Sequence, residues 1–277
     1  MNDRASGPCD QGGSTAHLRA LDAIRACELE RALAHFPPAA QSDGTCSVLE
    51  LGAGAGYQAR IMSEAGYGVL AIDMASSYYR AVRVHEVVEY DGRSIPARDD
   101  TFDVVFSSNV LEHVAEIDGL LAEMRRVLKP GGRAIHILPT TACRLWSIPA
   151  HYLWLGRRLA AVVRHRFTGP GAAPKERAPR RPTSSREWLG TFFPLPHGER
   201  GNTLTEAYYF SRYWWTRKFR EHGFVVRHIE PNRIFYTMAN SMTESIGFNL
   251  RRKLSRLLGS SCSIYVLDAS DATGSVR

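Results

Sequence analysis

The chain has 277 residues, 44% hydrophobic and 10% aromatic, enough to bury a sizeable core, which excludes collagen-like, coiled-coil and wholly disordered chains. Its most apolar uncharged run, Leu145 to Gly156, contains Pro149 and His151 and is shorter than the roughly 18 residues a bilayer span needs. Net charge is +7, but residues 144–186 hold ten basic residues against the single acid Glu176, so that segment alone is +9 and the rest of the chain is −2.

The stretch 1–17 is polar and Gly/Ser-rich without an apolar h-region, so a frayed tail and a cytoplasmic location are expected, with a single domain over 18–277. Cysteines 9, 27, 46, 143 and 262 are widely spaced and form no C-x-x-C, so neither a disulfide framework nor a zinc site is expected. Leu18 to Phe36 places apolar residues at helical spacing behind the candidate caps Ser14 and Thr15, and Pro37-Pro38 ends the run. Ser47 to Leu51 is β-prone and stops at Gly52; a helical stretch follows over Gln58 to Ala65. The alternation repeats with a strand Gly68–Ile72, a helix Ser76–Val84, strands Glu86–Tyr90 and Phe102–Ser107, and a helix Val110–Leu128. A breaking turn, Lys129 to Gly132, precedes the strand Arg133–Leu138. Nearly continuous apolar strands separated by helices imply a parallel sheet with helices on both faces, an α/β fold.

Ligands of such sheets bind beyond the carboxyl ends of the strands, where the chain order reverses. The residues predicted there are Glu50 to Gly56, Asp73, Asp91-Gly92 and Ser107 to Asn109. Glycines 52, 54 and 56 let the backbone pass close under a ligand, and the helix N-terminus behind them offers free N–H groups. Asp73, ending the second strand, can accept both hydroxyl protons of a ribose. A G-x-G-x-G string alone suits NAD, FAD or another nucleoside-bearing cofactor, or simply a turn; a dehydrogenase more typically shows G-x-G-x-x-G, and here position 57 is Tyr57.

The wider string is more specific. Val48 to Gly56, Ala71-Ile72-Asp73, Phe102 to Val105, Asn109 to Val114 and Val127 to Gly132 together resemble the class I S-adenosylmethionine-dependent methyltransferases of the type 11 kind over residues 45–140, and more loosely over 206–268. The resemblance implies a Rossmann-like, mostly parallel seven-stranded sheet with inserts after strands five and six, and S-adenosyl-L-methionine as cofactor. It further implies that the turn at Gly52, Gly54 and Gly56 passes beneath the amino-acid end of the cofactor, with Glu50 orienting it. Asp73 would bind the ribose and Met74 would pack on the adenine; Asp91 would accept from the adenine amino group beside Gly92, and Asn109 would sit near the methionyl part.

A methyl group on a sulfonium is already electrophilic, so the enzyme must chiefly align an acceptor and exclude water. Amino methylation of bases in this fold commonly uses a D/N-P-P-F/Y string where this chain has Ser107-Ser108-Asn109-Val110, and no cysteine lies at that strand end for cytosine C5 chemistry. Nucleic acid is therefore the alternative rather than the expected acceptor, and a non-catalytic cofactor-binding protein of the same fold is the rival outside the enzymes. A hydroxyl acceptor needs a base, for which His113 and His197 are the candidates. Glu112-His113 is similar to part of an E-x-x-E-H metal pattern of some relatives, but Asn109 replaces its first carboxylate, so no metal is expected.

Residues 139–205 exceed the short loop a minimal fold needs after its fifth strand and are expected to form an acceptor cap, with 168–186 a mobile linker. Within it, Cys143 to Phe167 mixes Leu, Trp and Tyr with arginine, the composition of either a lid or a helix lying on an anionic membrane surface. Glu206 to His222 is expected as a helix, Phe224 to Ile229 and Ser263 to Leu267 as the last strands, and 230–262 as a second insert. His197, Glu199, Tyr208 and Tyr209 are then acceptor-side candidates. The expected reaction is O-methylation of a small or lipid-linked, glycan-bearing acceptor at the cytoplasmic membrane face.

Overall fold

The computed structural model describes residues 15–42, 44–168, 192–194, 196–237 and 246–270. The segment expected to be a mobile linker lies, beyond its first residue, outside the described residues, as does most of the expected N-terminal tail. Helix α1 (Thr15–Leu33) leads into a two-residue hairpin, β1 (Ala40–Gln41) and β2 (Gly44–Thr45), that the sequence did not announce. Then follow β3 (Ser47–Leu51), α2 (Tyr57–Glu64), β4 (Gly68–Met74), β5 (Val88–Tyr90), β6 (Phe102–Ser108), α3 (Ile117–Val127) and β7 (Leu128–Pro139). The second half contains α4 (Thr141–Thr168), α5 (Glu206–Tyr209), α6 (Arg212–Glu221), β8 (Phe224–Pro231), α7 (Phe248–Leu258) and β9 (Cys262–Ala269).

The main sheet has seven strands in the order β5-β4-β3-β6-β7-β9-β8, parallel except for β9, which is antiparallel to both neighbours. This is the expected Rossmann-like α/β architecture. From β3 the chain moves outward through β4 to β5, then crosses back to β6 on the other side, so the order reverses between β3 and β6. Period-two alternation assigns the faces. Val48, Val104, Phe106, Ile135 and Ile137 pack under α1 and α2 with Ile24, Leu29 and Met62, whereas Leu49, Leu51 and Val105 pack under α3 and α6 with Leu121, Met124, Trp215 and Phe219.

Four expected features change. Ser76–Val84 is no α-helix; it holds only a 3-10 turn at Arg80–Val82, because Tyr78, Tyr79, Val82 and Val84 are all exposed and no face of the segment packs on the sheet. The helix predicted over Val110–Leu128 is broken into a 3-10 turn, Leu111–His113, and α3, and it follows Asn109, whose φ of +55° lies outside any right-handed helix. The helix predicted over Glu206–His222 is likewise two, with Ser211 capping α6 by accepting the Trp214 N–H. The Lys129–Gly132 turn is a bulge inside β7 rather than its start: Leu128 pairs with Phe102, and the ladder resumes at Arg133 opposite Val104.

Candidate active site

Four strand ends converge at the reversal point. After β3 the backbone bends through Gly52, Gly54 and Gly56, with φ of +68°, +57° and +76°, which only glycine adopts without penalty. The N–H groups of Gly52 and Ala53 both donate to the Ile72 carbonyl, at 2.9 and 3.1 Å, which ties the bend to β4. Asp73 completes the tie: its Oδ2 accepts the Gly54 N–H at 3.0 Å and its Oδ1 the Met74 N–H at 2.8 Å. A side chain at Gly52 would lie 2.5 Å from Val110, so the turn and the segment after β6 are in van der Waals contact only because that position is bare.

Glu50 sits beneath the turn, 2% exposed, with Oε2 lacking any hydrogen-bond partner among the described residues. Burial pushes its carboxyl up to about 8, partly offset by an N–H of Ala59 in the first turn of α2. Met74 and Gly92 meet across the next gap, since a Cβ on Gly92 would fall 2.9 Å from the Met74 sulfur. Asp91 accepts the N–H groups of Arg93 and Ser94, both at 2.8 Å, and these bonds hold its carboxyl below the ordinary range. Asn109 is braced from below, its Nδ2 donating to Ser108 Oγ and its Oδ1 accepting from the Cys262 thiol.

The two histidines proposed as bases, 84 positions apart in the sequence, come together. The His113 and His197 rings stand edge to face with centroids 4.7 Å apart. His113 Nε2 is 3.9 Å from Oε1 of Glu112, whose carboxylate is 2% exposed with neither oxygen hydrogen-bonded among the described residues. Burial pushes the Glu112 carboxyl up to about 8, and the desolvating protein around them shifts both imidazoles below their ordinary value. The His197 loop is fixed in three ways. Its backbone N–H groups at His197 and Gly198 donate to Glu206 Oε1, the Glu199 N–H donates to the Glu112 carbonyl, and the Arg200 guanidinium donates to the carbonyl of Val114. Glu206 in turn pairs with Arg144 at 2.7 Å, both groups fully buried.

Glu206 and Arg144 were not singled out from the sequence, and only the arginine's place in a charged segment drew notice. Of the other acceptor-side candidates, Tyr208 and Tyr209 pack their rings against each other, and against Tyr213 and Trp214 respectively; Glu199 contributes its backbone.

A parallel sheet reversing over a glycine turn, with a carboxylate at the next strand end, is the arrangement in which doubly wound α/β proteins take nucleoside-bearing ligands. Residues 49–136 match the methyltransferase domain family. A methyltransferase of Mycolicibacterium vanbaalenii is 34% identical over 140 residues, 46% of this chain and 52% of the relative, and one of Mycobacterium tuberculosis H37Rv is 33% identical over 132 residues, 43% and 50%. The chain thus spans about half the length of the curated relatives it matches. Among solved structures, a chain of the Haloferax volcanii complex of the Trm112 methyltransferase activator with a methyltransferase superposes with a TM-score of 0.56 at 18% identity, covering 94% of this chain and 96% of that one. An S-adenosylmethionine-dependent methyltransferase of Mesorhizobium loti gives 0.51 at 18% identity, covering 87% and 97%. These last two likenesses are of fold. The likeness to methyltransferases, S-adenosylmethionine-dependent in the Mesorhizobium loti structure, thus centres on residues 49–136, which hold the glycine turn and the strand ends around it.

The residues present fit that cofactor. An orphaned buried carboxylate oxygen at Glu50 suits a cationic amino group, the bare turn leaves room for a close-lying chain, and the Asp73 oxygens keep lone pairs for a diol.

Proposed function

We propose that the chain methylates a hydroxyl group on a lipid-linked or glycan-bearing acceptor at the cytoplasmic membrane face. The observation that carries this reading is the exposed stripe on α4. Leu145, Tyr152, Leu159 and Val163, each 46–54% exposed, recur at spacings of seven, seven and four residues and so share one helix face, with Trp146 and Leu153 widening it and exposed Arg157 beside it. The helix leaves directly from β7 at the rim of the site, its first turn capped by Thr140 Oγ1 accepting the Cys143 N–H. No helix among the described residues is long and apolar enough to cross a membrane, so contact would be made by lying on the surface.

In this reading S-adenosylmethionine supplies a methyl group that a hydroxyl oxygen displaces from sulfur. Glu50 holds the amino group, Gly52, Gly54 and Gly56 floor the amino-acid chain, and Asp73 grips the ribose. Met74 and Gly92 flank the adenine, Asp91 accepts its amino proton, and Asn109 faces the methionyl part. The hydroxyl proton leaves at the cluster of Glu112, His113 and His197.

Wild-type protein is expected to sediment with vesicles containing anionic lipid at low salt, and less so as salt rises. Replacing Leu145, Leu159 and Val163 by serine should weaken that partition by roughly 10- to 100-fold, about 1 kcal/mol for each half-exposed side chain. Wild type that stays in the supernatant at low salt removes the membrane reading.

Glu50 gives a second prediction. Its raised value leaves the carboxyl mostly protonated at pH 7, and a bound ammonium group favours the ionised form, so the proton must leave on binding. Calorimetry of cofactor binding at pH 7 in two buffers of different ionisation heat should show release of up to about one proton. The release should vanish in Glu50→Gln; proton uptake would contradict the assignment.

A further inference from the structure

The Glu112, His113 and His197 cluster has the composition of a metal centre. One ligand-capable atom from each lies within 4.8 Å of the others. Three donors around one ion at bonds of 2.0–2.2 Å stand about 3.3–3.8 Å apart, so movements of up to about 1 Å would close the set. Sequence alone gives two adjacent donors and an asparagine where a third would stand. The fold supplies the third from the insert, and from a loop built to present it: Gly198 passes so close to Glu112 that a Cβ there would meet its carbonyl oxygen at 2.7 Å.

Glu112 needs a partner. A 2% exposed carboxylate with both oxygens lacking hydrogen bonds is costly whether ionised or protonated, and the nearby cations are engaged elsewhere, Arg25 with Glu28 at 2.8 Å and Arg200 with the carbonyls of Val114 and Ala115. The two imidazoles face the same space, their ring centroids 4.7 Å apart. A second His-His-Glu group, His35, His228 and Glu230, lacks this feature, because Glu230 is paired with Arg31 at 3.0 Å.

We infer that Glu112, His113 and His197 bind one divalent transition-metal ion, with imidazole donors selecting Zn2+ or Mn2+ over Mg2+. Two histidines and one carboxylate leave open positions toward the cleft. The role of the ion rests on the function proposed above: an acceptor hydroxyl coordinated there loses its proton to solvent, and the resulting oxygen attacks the methyl carbon as the carbon–sulfur bond breaks, leaving the thioether.

The test is titration of the chelator-treated full chain with Zn2+ and, separately, Mn2+ by calorimetry, with metal content after dialysis as a second readout. One equivalent is expected to bind, with affinity lost by at least about 100-fold in His197→Ala and in Glu112→Gln. His228→Ala should bind as wild type. Absence of stoichiometric binding, or binding that survives His197→Ala and fails in His228→Ala, overturns the inference. Co2+ absorption, which responds to imidazole ligation, decides the matter for any variant whose stability has changed: a spectrum unaltered between wild type and His113→Ala also overturns it. S-adenosylmethionine affinity is measured on the same samples. Its retention without metal binding sinks the metal centre alone, whereas metal binding without cofactor affinity sinks the proposed function instead.

Discussion

Asp73→Ala is expected to raise the dissociation constant for S-adenosylmethionine by at least roughly 100-fold. The carboxylate carries two duties. It anchors the Gly54 N–H, and in the proposed site it accepts both ribose hydroxyls; hydrogen bonds to a charged group contribute about 1.5–3 kcal/mol each, and tenfold in affinity is about 1.4 kcal/mol. Alanine loses both duties, so the flexible turn also has to be ordered anew on binding. Asp73→Asn keeps one oxygen for Gly54 and should recover part of the loss. Calorimetry with the cofactor and with its demethylated product measures this. An unchanged constant in Asp73→Ala would remove the ribose assignment.

Arg144→Ala should be the most damaging single change to stability, by about 3–5 kcal/mol, because it leaves Glu206 buried and unpaired. For a chain of this size that is a fall in Tm of roughly 6–20 °C. Glu206 also holds the His197 and Gly198 N–H groups, so the loss extends to the loop that presents His197. Replacing both partners by methionine removes the stranded charge and should return most of the melting temperature without restoring the loop. Denaturant titration read by tryptophan fluorescence is apt, as Trp215 is fully buried in the core. A loss under 1 kcal/mol in Arg144→Ala would mean the pair is not sequestered as described.

The sheet was legible because its strands are short apolar runs ended by glycine or aspartate, and the order of those endings is specific enough to place Glu50, Asp73 and Asn109 at adjacent strand ends. What failed were the helices with nothing to pack on. Ser76–Val84 has passable local propensity, but a helix that short stands only if one face is buried, and burial is a property of the fold. Continuous periodicity from Val110 to Leu128 similarly concealed the break after His113, where positive φ at Asn109 and the turn beyond it re-aim the histidine toward a loop 84 residues away. Glu206 and Arg144 gave no local sign because a buried ion pair is made by two distant segments, each of which alone looks like an ordinary charged helix start.

Helix α4 has 28 residues, roughly 42 Å at 1.5 Å per residue, and its root is bolted to the domain at several points. Thr140 and Trp146 fasten that root to the carbonyls of Ser260 and Leu258, and Arg144 fastens it through Glu206 to the backbone of His197. A rod tied down at its base couples its own placement to that of the imidazole: whatever displaces the root of α4 acts on the histidine loop through the Arg144–Glu206 pair and through the Thr141 bond to the Ala207 carbonyl beside it.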